Sequence, residues 1–378
     1  MDFNFTQEQQ QLGDALRRYL DKQYGFEARQ AIVKSIEGVS DAHWKAFVEL
    51  GLTALPVPSG QGGFDGTPFD MLVVMQALGR ALAVEPYWAT AVGVEALKLA
   101  AAPDNAALLE RVAAGEIKLA VAFHEPLARY DLFAIETQAR ESGDGFALSG
   151  TKSVVQHGAQ ADYWIVPARL AGDVALFVVA RDGQGVEVRD YRTIDGQRAA
   201  TLTLANARAR RLADPRAQAA PAADAAALNR IADYATFLLC AEAIGAIDAL
   251  TAATVEYTKT RQQFGVPIAR FQALQHRMAE MLIHAEQARS LTYLAAARYS
   301  SDSADARRRA ISAAKVRVGQ ASRFVGQQAV QLHGGMGVTN EVAAAHLFKR
   351  LAIIETTLGD VDHHLERFVS LPGFSKAA

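Results

Sequence analysis

Apolar residues recur along this chain with two different periods, and the switches between them divide it into three segments. Between Asp70 and Leu82, Leu72, Met75, Leu78 and Leu82 fall three or four apart, the spacing that puts them on one helix face. Thr6 precedes Gln7 and Glu8 and predicts an N-cap for a helix through Tyr19 and Leu20. The run Pro58-Ser59-Gly60-Gln61-Gly62-Gly63 breaks both periods and predicts a loop. Residues 1–117 thus read as helical. From 118 to 218 the pattern shortens. Lys118 to His124, Phe146 to Ser149, Tyr163 to Ala168 and Ala175 to Ala180 predict strands, separated by turns such as Ser142-Gly143-Asp144-Gly145 and Arg181-Asp182-Gly183. The Ala/Pro-rich run Asp214 to Ala227 reads as a connection back to helix, and from Leu228 onward the pattern is long helices, in a C-terminal domain of residues 222–378. Leu274, Met278, Met281, Leu282, Ala285 and Ala288 form one stripe. Ile311, Ala314, Val318, Ala321, Val325 and Leu332 form another. Long helices with small residues at their seams predict a bundle and, with it, a large subunit interface.

Composition narrows the function classes. A formal net charge of -2 over 378 residues gives no electrostatic reason for nucleic acid or an anionic membrane as partner. The basic run Arg307 to Arg309 reads as a solvated helix face. The single cysteine, Cys240, cannot form an internal disulfide and fits a reducing cytoplasm. Met1-Asp2-Phe3 opens no basic, then apolar, leader, and no apolar stretch approaches the roughly 20 residues needed to span a bilayer. No metal-ligand spacing stands out.

Two stretches carry chemistry. Tyr257 to Gln272 reads as a helix end, a Gly/Pro turn and a helix start, with the Arg261 guanidinium, several amides and Phe264 at the corner. A planar guanidinium binds phosphate oxygens in pairs, although a lone helix-end arginine is ordinarily exposed or caps a carbonyl. Gln331-Leu332-His333-Gly334-Gly335-Met336-Gly337 follows a long helix; its glycines let backbone approach a ligand, or merely cap the helix.

At this spacing the two stretches together resemble the signature of the acyl-CoA dehydrogenase superfamily, whose Arg-x-x-Phe-Gly corner and Gln-x-x-Gly-Gly loop hold the FAD of a neighbouring subunit. The helical, β, helical order and the length match too, and Pro58 to Gly63 resembles the family's N-terminal Gly-Gly loop. The resemblance implies an α+β fold with an N-terminal helical domain, a central β-barrel-like domain and a C-terminal four-helix bundle. It implies FAD as cofactor, with Arg261, Gln263, Phe264, Gln272, Gln331, Gly334 and Gly335 as contacts. It also implies an acyl-CoA substrate, an electron-transfer flavoprotein or similar acceptor, and a homo- or heterotetramer. The flavin end departs from the pattern. In Ala122-Phe123-His124-Glu125-Pro126, His124 replaces a threonine; beyond it, Tyr130 stands where a serine meets the flavin, followed by a matching Asp131. In Lys152 to Gly158, Val154 replaces the tryptophan that stacks on the ring and Gln156 replaces a threonine. His124 and Gln156 are carried over as flavin-end contacts; as plain residues, they, like His157, could equally be β-domain surface.

Acyl-CoA dehydrogenation needs a carboxylate to take the Cα proton while hydride leaves Cβ. In the family a glutamate usually supplies it, in a turn that falls here on Leu358-Gly359-Asp360. The alternative family position falls on Ala235 or Thr236. Neither offers an acid, so the catalytic base is unassigned, with Glu242, Glu355 and Asp360 the acids nearby. Phe348-Lys349-Arg350 and Leu358 to His364 are similar to the small, base-lacking subunit of heterotetrameric, pimeloyl-CoA dehydrogenase-type members. Three readings stay open: a complete dehydrogenase of fatty, dicarboxylyl or side-chain acyl-CoA, a base-lacking partner subunit, and a flavin monooxygenase on the same fold.

Overall fold

A computed structural model describes residues 5–100, 102–213, 221–301 and 303–372. In chain order, six helices come first: α1 (Gln7–Gln23), α2 (Phe26–Lys34), α3 (Asp41–Glu49), α4 (Pro68–Ala81), α5 (Tyr87–Ala100) and α6 (Pro103–Ala113). Seven strands follow: β1 (Leu119–Val121), β2 (Gln138–Ser142), β3 (Gly145–Gln156), β4 (Tyr163–Leu170), β5 (Asp173–Ala180), β6 (Val186–Arg192) and β7 (Arg198–Arg211). Then come α7 (Pro221–Thr260), the short strands β8 (Gln262–Gln263) and β9 (Val266–Pro267), α8 (Gln272–Tyr299), α9 (Ala304–His333), α10 (Ala343–Thr356) and α11 (Val361–Val369). Packing gathers them into two compact units: Met1–Ala31, Pro68–Ala83 and Thr236–Ala378 in one, Ile32–Thr67 and Val84–Ala235 in the other.

The helical unit forms for local reasons first. Thr6 caps α1 in a capping box: its hydroxyl accepts from the Gln9 amide at 3.2 Å, and the Gln9 side-chain oxygen accepts from the Thr6 amide at 3.0 Å. The α9 stripe is buried throughout, from Ile311 to Leu332, and packs against α8, α10 and α11. On α8 the inner stripe is narrower than the sequence spacing predicts. Met281, Ala285 and Ala288 are buried, but Leu282 and its neighbour Ile283 are more than half exposed. Helix α4 meets α7 at two glycines: a Cβ on Gly79 would run into the Glu242 carbonyl, and one on Gly245 into the Gln76 carbonyl.

Two sequence expectations about α7 need correcting. Of the expected connection Asp214 to Ala227, residues 214–220 lie outside the described ones, and the rest is already helix, because Pro221 is tolerated in a first turn and the alanines favour helix. The expected lack of a bilayer-length apolar stretch also fails: Ala223–Thr260 is long and apolar enough to cross a membrane by length and composition. In the fold, 67% of its apolar window is buried, the behaviour of a core helix.

In the other unit the strands close on themselves. β4 pairs with β2 in parallel; β2–β3, β3–β7, β7–β5 and β5–β4 are antiparallel, which completes a five-stranded ring, with β1 beside β4 and β6 beside β7. Inward positions such as Leu148, Trp164, Phe177, Leu202 and Leu204 fill its core, and the Trp164 indole donates to the Gly158 carbonyl at 2.8 Å. The central β-barrel-like domain is therefore as expected.

Candidate functional site

The α7–α8 corner is a two-residue hairpin. Gln263 pairs with Val266, and the loop residues Phe264 and Gly265 both have left-handed backbones, φ 55° and 79°, as a type I′ turn demands. That conformation is uncommon for phenylalanine, yet it lifts the ring out of the fold. Phe264 is 91% exposed and meets Phe271 edge-on, with ring centres 6.0 Å apart. The Arg261 guanidinium is exposed, and no hydrogen bond or ion pair engages it among the described residues. The side chain of Gln263 donates back to the Gln262 carbonyl, and Gln272, exposed, opens α8.

Helix α9 ends beside this corner. Tyr257, one turn before the end of α7, stacks on His333 at 4.4 Å, and His333 Nδ1 lies 2.8 Å from the Ala329 carbonyl, within hydrogen-bonding range. Arg277 on α8 donates to the Gln328 side-chain oxygen on α9 at 3.3 Å. Gln331, Gly334 and Gly335 are exposed at the α9 end. A Cβ added at either glycine meets nothing within 4 Å, so the chain's own packing does not need that space, although φ 60° favours glycine at 334. An unengaged guanidinium, exposed amides, an aromatic tip and an open glycine backbone fit an anionic dinucleotide.

In the barrel unit, His124 and Ser153 form an isolated antiparallel bridge, and β3 shifts register between Lys152 and Val155. The bulge turns Val154 outward, half-exposed with φ 50°, its amide donating to the Tyr191 hydroxyl at 3.2 Å. Gln156 sits half-buried at the end of β3, and His157 Nε2 lies 3.1 Å from the Gln197 side-chain oxygen. Asp131 caps the local turn by accepting from the Phe133 amide at 2.8 Å. Beneath the bridge, buried Glu125 accepts from Lys152 Nζ and the Thr137 hydroxyl, both at 2.7 Å, and from the amides of Glu136 and Thr137. Burial works against the carboxylate, but these donors outweigh it and hold Glu125 below the usual range. Burial, reinforced by the Lys152 charge, lowers His124 as well and favours its neutral form.

The turn at the expected base position is apolar. Leu358 is buried in a left-handed conformation, φ 57°, followed by Gly359 at φ 112°. All three nearby acids are engaged. Glu242 on α7 receives both arms of the buried Arg350 guanidinium, Nε at 2.6 Å and Nη2 at 2.7 Å. Glu355 accepts from Arg323 Nη2 at 2.6 Å. Asp360 caps α11 through the His363 amide at 2.9 Å. A partner for Glu242 across 108 residues leaves no trace in a single sequence.

Comparison with known proteins places the fold in a class of FAD-dependent oxidoreductases that act on acyl-CoA. Family models for the N-terminal, middle and C-terminal domains of acyl-CoA dehydrogenase match residues 6–116, 120–207 and 225–368. The chain belongs to the acyl-CoA dehydrogenase family. The acyl-CoA dehydrogenase IpdE2 of Mycobacterium tuberculosis is 30% identical over 346 residues, covering 91% of each chain. Two solved structures superpose with TM-scores of 0.88. One is the ChsE4–ChsE5 complex of Mycobacterium tuberculosis, 26% identical and covering 98% of both chains. The other is a variant of the Tcur3481–Tcur3483 steroid ACAD, 28% identical over 96% of this chain and 97% of that one.

Proposed function

We propose that this chain is the base-lacking component of a two-component acyl-CoA dehydrogenase, lending its nucleotide-binding corner to an assembly whose catalytic carboxylate resides on another polypeptide. The observation that carries this reading is Leu358: a buried aliphatic side chain occupies the turn, and Glu242, Glu355 and Asp360 are each committed to a structural partner. Likeness to the ChsE4–ChsE5 complex and the Tcur3481–Tcur3483 steroid ACAD, each named for two components, supports it. In such an assembly Arg261 pairs with the diphosphate of FAD, and the Gly334–Gly335 backbone lets it approach closely. Gln263, Gln272 and Gln331 offer amide donors, and Phe264 covers the nucleotide. Taken separately, the barrel unit offers His124, kept neutral, and Gln156 to the polar edge of a flavin ring. FAD, when bound, supplies the hydride acceptor. The remaining partners of this reading are an acyl-CoA thioester, with a steroid side-chain thioester the first probe, and an electron-transfer flavoprotein in the cytoplasm.

The test is co-expression with the chain that supplies the carboxylate, chosen from the same gene neighbourhood. The reading expects tightly held FAD and acyl-CoA-dependent dye reduction only in the co-purified complex. Full turnover by this chain alone would refute it.

A further inference from the structure

Helices α1, α2, α4, α7 and α10 meet around a cleft of about 280 Å³ that lies within the helical unit. None of the residues lining it belongs to the nucleotide-binding corner or to the Leu358 turn. The cleft exists because small side chains face one another there. Ala77 and Ala81 on α4, Ala249 and Ala252 on α7 and Ala343 at the start of α10 reach too little to fill the space between the helices. Leu20, Leu82 and Leu347 close its inner side, all three buried. An aliphatic cavity of roughly 150 Å³ already holds a benzene, so this space takes a molecule of about ten heavy atoms.

Three guanidiniums and one carboxylate, Asp21, also line it. Arg29 sits in the wall, 1% exposed, and its plane is fixed: Nε donates to the Leu82 carbonyl at 2.7 Å, and Nη1 lies 3.2 Å from His346 Nδ1. Leu82 ends α4 in a left-handed conformation, φ 54°, which leucine adopts rarely, and Arg29 holds it there. Arg17 donates to Asp14 at 2.8 Å. Arg80 differs from both. Its side chain is half exposed, lies 4.0 Å from Asp21, beyond hydrogen-bonding range, and makes no hydrogen bond among the described residues.

We propose that this cleft binds a compact apolar monocarboxylate, its carboxylate paired with the Arg80 fork and its body laid against Leu20, Leu347 and the alanines. Both halves of the ligand are needed. Inorganic phosphate leaves the alanine and leucine walls bare, and a neutral hydrocarbon leaves Arg80 without an acceptor. The lining carries more positive than negative charge, which selects an anion, and Asp21 opposes it by competing for Arg80. Binding is a plain association in which no covalent bond changes, and it holds whether or not the chain turns over acyl-CoA alone.

Isothermal calorimetry of the full chain with octanoate tests it, with 1-octanol as the chain without the charge and inorganic phosphate as the charge without the chain. Octanoate should occupy one site per chain with Kd below about 1 mM, and octanol and phosphate should bind at least about tenfold more weakly. Arg80→Gln should weaken octanoate about tenfold and Asp21→Asn should tighten it roughly threefold. Ala252→Phe, whose ring fills the mouth of the cleft, should abolish binding. All three positions are exposed, so the variants keep the fold, which thermal unfolding verifies. No saturable heat up to about 10 mM octanoate, or octanol or phosphate bound as tightly as octanoate, overturns the proposal. So does an octanoate Kd unchanged in Ala252→Phe, which would place the acid elsewhere on the chain.

Discussion

Tyr257 and His333 stack at 4.4 Å with their rings 25° from parallel, and this one contact brings the end of α7 beside the end of α9. The two stretches that carry the family signature lie far apart in sequence, Arg261 to Gln272 on one side and Gln331 to Gly335 on the other. The stacked pair sets them next to one another in a single helical unit, with Arg277 and Gln328 as a second tie. Removing the ring in Tyr257→Ala should weaken FAD binding by the assembled complex roughly tenfold, the upper range for an aromatic pair. Fluorescence titration of apo-complex with FAD measures it. Tyr257→Phe, which keeps the ring, should bind as wild type.

Arg261 offers a sharper contrast between charge and shape. Its guanidinium is exposed and unengaged among the described residues, so Arg261→Lys should cost almost nothing in thermal stability. The same change should lower FAD affinity of the complex by about tenfold, because an ammonium cannot bind two phosphate oxygens in one plane. Arg261→Ala should cost more. A Tm unchanged with a weakened Kd is the expected pattern; unchanged Kd in both variants would remove Arg261 from the site.

Glu242 is the acid that most invites a catalytic reading from sequence, standing alone among Leu238, Leu239, Ala243 and Ile244. Its bidentate bond with buried Arg350 gives it a structural role. Breaking the pair from one side leaves an uncompensated buried charge. Glu242→Leu or Arg350→Met alone should destabilise by about 3–5 kcal/mol, and the double variant should recover most of that loss. Thermal unfolding of the three variants reads this directly. A single variant as stable as wild type would contradict it.

Acid should destabilise the chain through its buried histidines. His364 lies well below 6.5 because burial disfavours its charged form, with Lys315 and Arg367 adding to the effect, and burial lowers His124 as well. The unfolded chain then binds protons that the native state refuses. The histidine contribution is complete above the ordinary histidine range and shrinks as pH falls below about 6.5. Glu125, held below 4.5, adds a second loss at lower pH, present above its unfolded value and lost as pH drops through its folded one. Tm should therefore decline between about pH 6.5 and 5, and His364→Gln should flatten that limb. An equally steep limb in the variant would place the titration elsewhere.

How much of this was legible depended on periodicity and on distance. Helix α4 and the α9 stripe declared themselves because their apolar residues repeat every three or four positions and are in fact buried. Strand β7 did not: its Arg198–Arg211 run is largely alanine and arginine, with outward charges masking the alternation. Strand β6 has no buried position to reveal it. Pro221 and the alanines after it looked like a linker, although proline opens a helix as readily as it ends one. At the site, the Arg261 and Gly334 stretches were readable as motifs and Leu358 by counting. Arg350 against Glu242 and Lys315 against the Leu358 turn were not, since long-range pairs leave no local pattern.

The central claim is that this chain supplies no base. Anaerobic titration of the chain without its partner, in the presence of added excess FAD, using a panel of saturated acyl-CoA thioesters and following the visible absorbance of the oxidised flavin, tests it most directly. No bleaching is predicted from the chain alone, and stoichiometric bleaching once the carboxylate-bearing partner is added. Stoichiometric bleaching by the isolated chain would contradict it.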